Sequence, residues 1–306
     1  MAEMFRLAVV GAGRMGRIHM RALSKSDRVR VVAVVEPSEA SRAALDGAVA
    51  VYPDVASLLR AGNVDGVLVA APSTVHLQLV TQLAAAGVAI LCEKPCGISA
   101  SQAREAAAIA VRLGVKLQVA YWRRFVPSLQ RLRQRIAAGE LGALYFVACY
   151  QWDGEPPAAA FRANSGGIFI DMGVHEFDQI RWLSGQELAE IVPAVAEVGP
   201  GPPIAGDADS AQVLCKLSGG STALVSLGRR FPLGDVCRVE AFGTRDAEDC
   251  RFLWPPDGET IFLQALQRQA EGFADWVRGG DASGATAADA VAALEAAEKA
   301  SPALHR

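Results

Sequence analysis

The 306-residue sequence contains no apolar run close to the ~18 residues a membrane helix needs, and its longest candidate, near Leu79 to Cys92, is broken by Thr81 and Gln82. No membrane role is expected. It also lacks an excess of positive charge: 30 Lys and Arg stand against 33 Asp and Glu, a net charge of -3, so there is no basic field to hold nucleic acid or anionic lipid. No C-x-x-C pair occurs among Cys92, Cys96, Cys149, Cys215, Cys237 and Cys250, which argues against a zinc ribbon or a dithiol redox centre and fits buried free thiols in a reducing cytoplasm. Histidine is scarce, at positions 19, 76, 175 and 305, and only His175 has acidic neighbours in the sequence. Met1 to Arg14 lacks the basic start and small-residue cleavage site of a secretion signal, so a cytoplasmic protein is expected.

What the chain does have is core: 51% of residues are hydrophobic and 21% charged, a globular balance, and the length suits two domains at about 150 residues each. From Phe5 to about Tyr121 short β-branched runs alternate with helical patterns. Phe5–Val10, Val29–Val35, Gly66–Ala71, Val88–Cys92 and Val115–Tyr121 read as strands, mostly apolar throughout, as strands covered on both faces must be. Met15–Lys25, Thr74–Ala86 and Ser99–Leu113 read as the helices between them. The alternation predicts an α/β domain of Rossmann type over residues 1–121, a doubly wound parallel sheet.

After Tyr121 the rhythm changes. Pro127–Ala138 and Asp171–Leu183 have helical periodicity, whereas Ala143–Trp152, Ala189–Val198, Ser210–Leu217, Thr222–Leu227 and Val236–Gly243 read as strands, with a Gly- and Pro-rich loop at Gly199–Gly206. Residues 122–306 are therefore expected to form an α+β domain on a mostly antiparallel open sheet, closed by an Ala-rich helix, 287–300, that is free to pack back on the first domain. Strands such as Val213–Leu217 and Ala223–Leu227 carry apolar residues at successive positions, and few helices are predicted to cover them. A homodimer or homotetramer formed through this sheet is the expected remedy.

Gly11-Ala-Gly-Arg-Met-Gly16 follows the first strand directly and opens a helix, and Glu36 ends the next strand 20 residues beyond Gly16. Strand, turn, helix, second strand and terminal acid at this spacing form a dinucleotide-binding fingerprint. Gly11 permits the tight turn, Gly13 the approach of a pyrophosphate and Gly16 the close seat of helix on strand; Glu36 would accept the ribose hydroxyls and repel a 2′-phosphate, favouring NAD over NADP. Cys92-Glu-Lys-Pro95 lies at the end of the predicted fifth strand, where Lys94 can donate to a substrate hydroxyl, although three such residues alone also fit a surface turn. Asp171, His175 and Asp178 share one stripe of a predicted helix whose opposite side is Val174, Phe177, Ile180 and Leu183. Taken alone the stripe reads first as the wet face of an amphipathic helix and next as catalytic groups, while a D-x-x-x-H metal pair is weakened by the absence of further ligands.

Together and in this order these motifs resemble the Gfo/Idh/MocA family of oxidoreductases, whose name joins glucose-fructose oxidoreductase, inositol dehydrogenase and a rhizopine-catabolism protein. The resemblance spans nearly the whole chain: Gly11–Gly16, Ala71-Pro72 with His76, Glu93-Lys94-Pro95, Arg123-Arg124, the Gly139–Gly142 turn, and Ser165-Gly-Gly followed by Asp171 and His175. It implies that Lys94, Asp171 and His175 form the catalytic set. It further implies that Gly11, Ala12, Gly13, Arg14, Met15, Gly16, Glu36, Ala71, Pro72, His76, Glu93, Lys94 and Arg123 line NAD. Trp122 and Arg123 would border the substrate beside Lys94, Asp171 and His175. The stretch from Asp171 to Leu183 is similar to the inositol and sugar dehydrogenase branch, which implies oxidation of a cyclitol or sugar alcohol, a myo-inositol-like polyol first among them. Ile168 in place of a third Gly, Val126 in place of an acid and a short C-terminal domain depart from the family and bear on substrate identity. An NAD-retaining glycosidase and a non-catalytic NAD sensor are the alternatives, and no metal is called for.

Overall fold

The computed structural model describes residues 3–45, 47, 49–197, 199, 203–254 and 256–305. In chain order the first elements are β1 (Phe5–Val10), α1 (Arg14–Leu23), β2 (Val29–Val35), α2 (Glu39–Ala43), β3 (Ala50–Tyr52), α3 (Val55–Ala61), β4 (Gly66–Val69), α4 (His76–Ala85), β5 (Ala89–Cys92), α5 (Ala100–Arg112) and β6 (Leu117–Val119). Next come α6 (Pro127–Ala137), β7 (Leu144–Trp152), α7 (Ala159–Arg162), α8 (Val174–Ser184), β8 (Leu188–Ala196), β9 (Ser210–Leu217) and β10 (Thr222–Gly228). The chain ends with β11 (Val236–Gly243), β12 (Ala247–Leu253), α9 (Gly258–Val277), β13 (Ala285–Thr286) and α10 (Ala287–Ala300). Among the described residues no helix is long and apolar enough to cross a membrane.

Two compact units result, Met1–Trp122 with Leu263–Val291 and Arg123–Phe262 with Ala292–Arg306. This corrects a single boundary after Tyr121: Trp122 and a segment of about thirty residues near the C-terminus fold with the first unit. The reason is local, because β13 pairs antiparallel with β6 (Ala285 opposite Val119) and the Phe273 ring stands edge-on to Phe5 at 5.9 Å. Only the start of α10 joins that unit.

The first unit is a seven-stranded sheet in the order β13-β6-β5-β4-β1-β2-β3, parallel except for β13. Leu7, Val9, Val67, Leu68, Ile90 and Leu91 are fully buried, which explains why these strands read as unbroken apolar runs. Chain order reverses at β1, which pairs with β2 on one side and β4 on the other. Val10 lies opposite both Val35 and Val69, so residues 11, 36 and 70 emerge together at the carboxyl edge beside the switch point, where ligands of such sheets bind. Elements α2, β3 and α3 were not expected; at five, three and seven residues they are too short to show a period.

The second unit is a six-stranded sheet in the order β12-β11-β7-β10-β9-β8, antiparallel except where β10 runs parallel to β7. Helices α6 and α8 pack together and α8 lies on β7 and β10. Strand β9 alternates, with Ala211, Val213, Cys215 and Leu217 buried and Leu214 and Lys216 exposed. The apolar run of the sequence therefore covers one face fully and the other only in part. Strand β12 and helix α9 were missed, although Leu266, Ala270, Phe273 and Val277 recur at helical spacing. Of the expected strand and loop over 189–206, residues 198 and 200–202 lie outside the described residues.

Among the described glycines of the first unit Gly16 is the most tightly seated, since an added methyl would lie 1.9 Å from the Gly11 carbonyl oxygen, a backbone atom that cannot step aside. Gly16→Ala is expected to destabilise the protein by about 2–3 kcal/mol, read as a lower melting temperature. A melting temperature within about 1 °C of wild type would contradict this seat of helix on strand.

Candidate active site

The fingerprint turn is built as its residue types require. Gly11 has φ +101°, where a side chain would strike the Ala70 carbonyl at 2.8 Å, whereas a Cβ on Gly13 would meet nothing within 4 Å. Gly13 is the N-cap of α1 and makes no side-chain cap bond, so the helix N-terminus keeps its N–H groups for a ligand. Arg14 is exposed and Met15 half-buried beside it, while Ala12 is buried. These features fit a pyrophosphate. Glu36 accepts hydrogen bonds from the backbone N–H groups of Ala12 and Ser38, both at 3.0 Å, so it braces the turn as well as ending β2. Arg42 donates to the carbonyls of Glu36 and Pro37 at 2.9 and 2.7 Å, which spends its guanidinium on the strand end.

Lys94 sits half-buried in a turn with a cis Lys94–Pro95 bond. Three groups hold that turn. The Lys94 N–H donates to Glu93 Oε2 at 3.2 Å, the other oxygen of Glu93 lies 2.6 Å from His19 Nε2 on α1, and His76 Nδ1 lies 2.8 Å from the Pro95 carbonyl. His76 Nε2 meets the Ala71 carbonyl at 2.8 Å. Both Glu93 and His76 are buried, so they brace the turn from within, while Ala71 and Pro72 present partly open backbone. The His19–Glu93 pair corrects the expectation that His175 alone has an acidic setting. The two residues are 74 apart in sequence, and no local pattern reports their meeting.

In the second unit α8 begins at Val174, preceded by a π-helical turn, Phe169–Gly173, that carries Asp171. Every residue from Val174 to Ile180 is buried, including His175, Glu176 and Asp178. This overturns the wet-face reading of the stripe. Asp178 receives two hydrogen bonds from Arg124, and Glu176 is ion-paired with Arg123, which also donates to Gln151 Oε1 at 2.6 Å. Burial opposes the charge on Arg123, but Glu176 and the other groups around it together raise its pKa. Arg123 is thus buried and ion-paired inside this unit, and Trp122 is also largely buried.

Sequence reasoning missed the groups around Asp171. Arg229, directly after β10 and fully buried, donates to Asp171 Oδ2 at 2.9 Å and to Asp207 Oδ1 at 3.0 Å; Asp207 in turn accepts from Arg162. Burial works against the Arg229 charge, yet Asp171 and Asp207 raise its pKa. Asp153, directly after β7, is pushed up to about 6, chiefly by burial, with Asp235 and Asp171 adding repulsion against the Gln151 hydrogen bond and Arg229. A buried arginine leaves no periodic mark in sequence. Among the described residues no group of three or more His, Cys, Asp or Glu is arranged to hold a metal ion.

Comparison with known proteins extends this picture. Residues 5–121 match the oxidoreductase family with an NAD-binding Rossmann fold, and residues 129–247 match the GFO/IDH/MocA C-terminal domain. The chain is 54% identical to the rhizopine catabolism protein MocA of Rhizobium meliloti over 99% of its length and 96% of that protein. It is 32% identical to the inositol 2-dehydrogenase of Rhizobium meliloti strain 1021 over 79% of this chain and 74% of that one. The solved structure of GenD2 from gentamicin A biosynthesis, in complex with NAD, superposes with a TM-score of 0.89 at 25% identity, covering 100% of this chain and 95% of that one.

Two outcomes follow from this geometry. Gly13→Ala adds a methyl into open space at an ordinary φ of −70°, so its melting temperature should match wild type while NAD affinity falls at least ~10-fold by titration. Unchanged affinity would remove the pyrophosphate from this turn. Asp153 has a folded-state pKa of about 6 against an ordinary 3.8, so the folded chain holds an extra proton between those values and loses stability as pH rises through that window. Asp153→Asn should therefore stabilise by about 1–2 kcal/mol near pH 8, after discounting for partial exposure, and by nothing near pH 4. Thermal melts at the two pH values check this, and an equal shift at both would contradict it.

Proposed function

The chain belongs to the Gfo/Idh/MocA family of NAD-dependent oxidoreductases, and from that premise we propose that it oxidises a secondary alcohol of a cyclitol or sugar, a myo-inositol-like polyol first among them. The observation that carries this reading is the burial of α8. Its polar run from His175 to Asp178 is built into the protein rather than wetted, and a helix that merely faced water would not bury a histidine and two carboxylates in succession. Relatives named inositol 2-dehydrogenase support the substrate class. NAD, held by the Gly11–Gly16 turn and Glu36, supplies the hydride acceptor. His175 takes the proton of the reacting hydroxyl, a role an imidazole can fill as general base. Lys94 donates a hydrogen bond to the reacting oxygen as negative charge develops there, and Asp171 accepts from a neighbouring substrate hydroxyl.

Association is part of the same proposal. The sheet face opposite α8 carries Val192 and Leu214, which pair across β8 and β9 and are 63% and 60% exposed, and the stacked rings of Phe146 and Phe242, 5.7 Å apart. Pairing of two such faces about a two-fold axis would cover them in a homodimer or homotetramer. All six cysteines are free and buried, which suits a cytoplasmic setting.

A panel of polyols and sugars, offered with NAD and with NADP and followed by NADH or NADPH formation, tests the activity. Net NADH formation with a cyclitol is expected, and turnover without net NADH would favour a redox-neutral glycosidase. His175→Ala and Lys94→Ala should each lose roughly 10²-fold or more in kcat with NAD affinity retained. A near wild-type kcat in either would remove that residue from the chemistry. Light scattering should report a multiple of 32.2 kDa at micromolar concentration, and a monomer there would refute the interface.

A further inference from the structure

One fully buried charge of the second unit has no part in the reaction as set out above. Arg229 has no exposed surface, and no guanidinium is held in an interior unless carboxylates meet it there. Its two partners differ. Asp207 is fully buried and is shared with Arg162, which also reaches Asp209 Oδ1 at 3.3 Å. Asp171 is one of two partly open ends of this chain of charges, its side chain 14% exposed against 16% for Asp209 at the other. The backbone of Arg229 is equally fixed: its N–H donates to the Asp209 carbonyl at 2.8 Å, one residue beyond the β7–β10–β9 ladder. An ion-pair cluster serving stability alone could close on Arg162, Asp207 and Asp209 and leave residue 229 apolar. Here a second guanidinium carries the network on from Asp207 to Asp171, a partly open carboxylate one turn before His175.

We propose that Arg229 is a positioning residue for the dehydrogenase reaction, which holds the Asp171 carboxylate in one orientation and in its charged form, with Arg162 and Asp207 as the fixed base behind it. The proposal rests on the reading of Asp171 as a substrate-binding carboxylate. The groups facing Asp171 make the need for such a clamp plain. Asp153, at the end of the neighbouring β7, repels it when ionised, His175 lies one turn further along the chain, and Asp207 stands behind Arg229. Without the guanidinium, Asp171 would share its surroundings with Asp153 and would take up a proton more readily. A protonated or rotated Asp171 could no longer accept from a substrate hydroxyl in a set direction. Lysine at 229 would keep the charge but not the fork that spans two carboxylates.

The test is a double-mutant cycle on the full-length enzyme with its best polyol substrate. Arg229→Met, Arg229→Lys and Asp171→Asn are measured alone and in combination, alongside thermal melts and NAD titration. Arg229→Met is expected to lower kcat/KM for the polyol at least ~10²-fold in the Asp171 background and less than ~3-fold in the Asp171→Asn background, with NAD affinity within ~3-fold of wild type. Arg229→Lys should recover about 10-fold of that loss, and it carries the cycle if Arg229→Met does not fold. The acid limb of kcat/KM should move to higher pH in the Arg229 variants and not in Asp171→Asn. Equal losses in both backgrounds, or an unmoved acid limb with the loss tracking the melting temperature, would make Arg229 a structural residue and overturn the proposal. A near wild-type kcat in Asp171→Asn alone would instead overturn the reading of Asp171.

Discussion

Charge taken out of water must be met by charge, and the second unit obeys that constraint repeatedly. Arg123, Arg124, Arg162 and Arg229 are all buried, and each is matched by a carboxylate in Glu176, Asp178, Asp207 or Asp171. Removing one partner of such a pair costs about 3–5 kcal/mol because the other is left uncompensated, so these pairs select one arrangement even where they add little net stability. Glu176 and Asp178 are two residues apart and leave α8 on different sides, yet consecutive arginines of the Trp122–Phe125 turn meet both. The apolar residues Val174, Phe177 and Ile180 would tolerate some rotation of the helix on the sheet. Two ion pairs on different sides do not, and His175 directly precedes the first of their acids in the chain.

In the first unit the working constraint is backbone space. Gly11 and Gly16 let α1 begin close against β1, and the carboxyl edge of the sheet then collects the ends of β1, β2 and β4. Acidic side chains at that edge serve the backbone first: Glu36 braces the fingerprint turn and Glu93 the turn of Lys94. His19 and His76 tie that second turn to α1 and α4. A lysine whose backbone is held from two helices offers its amine from a fixed origin, which is what a hydrogen bond to a developing alkoxide requires. The same bracing explains why both histidines are buried.

Acid–base balance in the second unit follows from neighbours rather than from residue type. Asp153 and Asp171 leave adjacent parts of the structure and repel each other, but burial pushes Asp153 toward neutrality while Arg229 holds Asp171. Two carboxyls of the same chemistry thus sit in different settings, and Asp153 takes up its proton near pH 6, above the ordinary carboxylate range.

The α/β half was legible from the sequence because its strands are buried on both faces, which writes continuous apolar runs, and because a dinucleotide turn admits only glycine at Gly11 and Gly16. The strands of the second sheet and the final helix were legible for the same kind of reason, a local period set by burial. The missed β12 carries three charged residues, Glu248, Asp249 and Arg251, among its seven, whereas α9 carried its period plainly in Leu266, Ala270 and Phe273. What no local pattern carries is which charge meets which across a long separation: His19 with Glu93, Arg123 with Glu176, Arg229 with Asp171, and the return of Leu263–Val291 to the first unit. Sequence by itself determined most of the longer elements, the dinucleotide turn and the residue types of Lys94, Asp171 and His175. Only tertiary structure decided that the polar stripe of α8 is dry and that Arg123 is spent on an ion pair, because burial and pairing are properties of neighbours in space, and a carboxylate reads the same in the chain whether water or a guanidinium faces it.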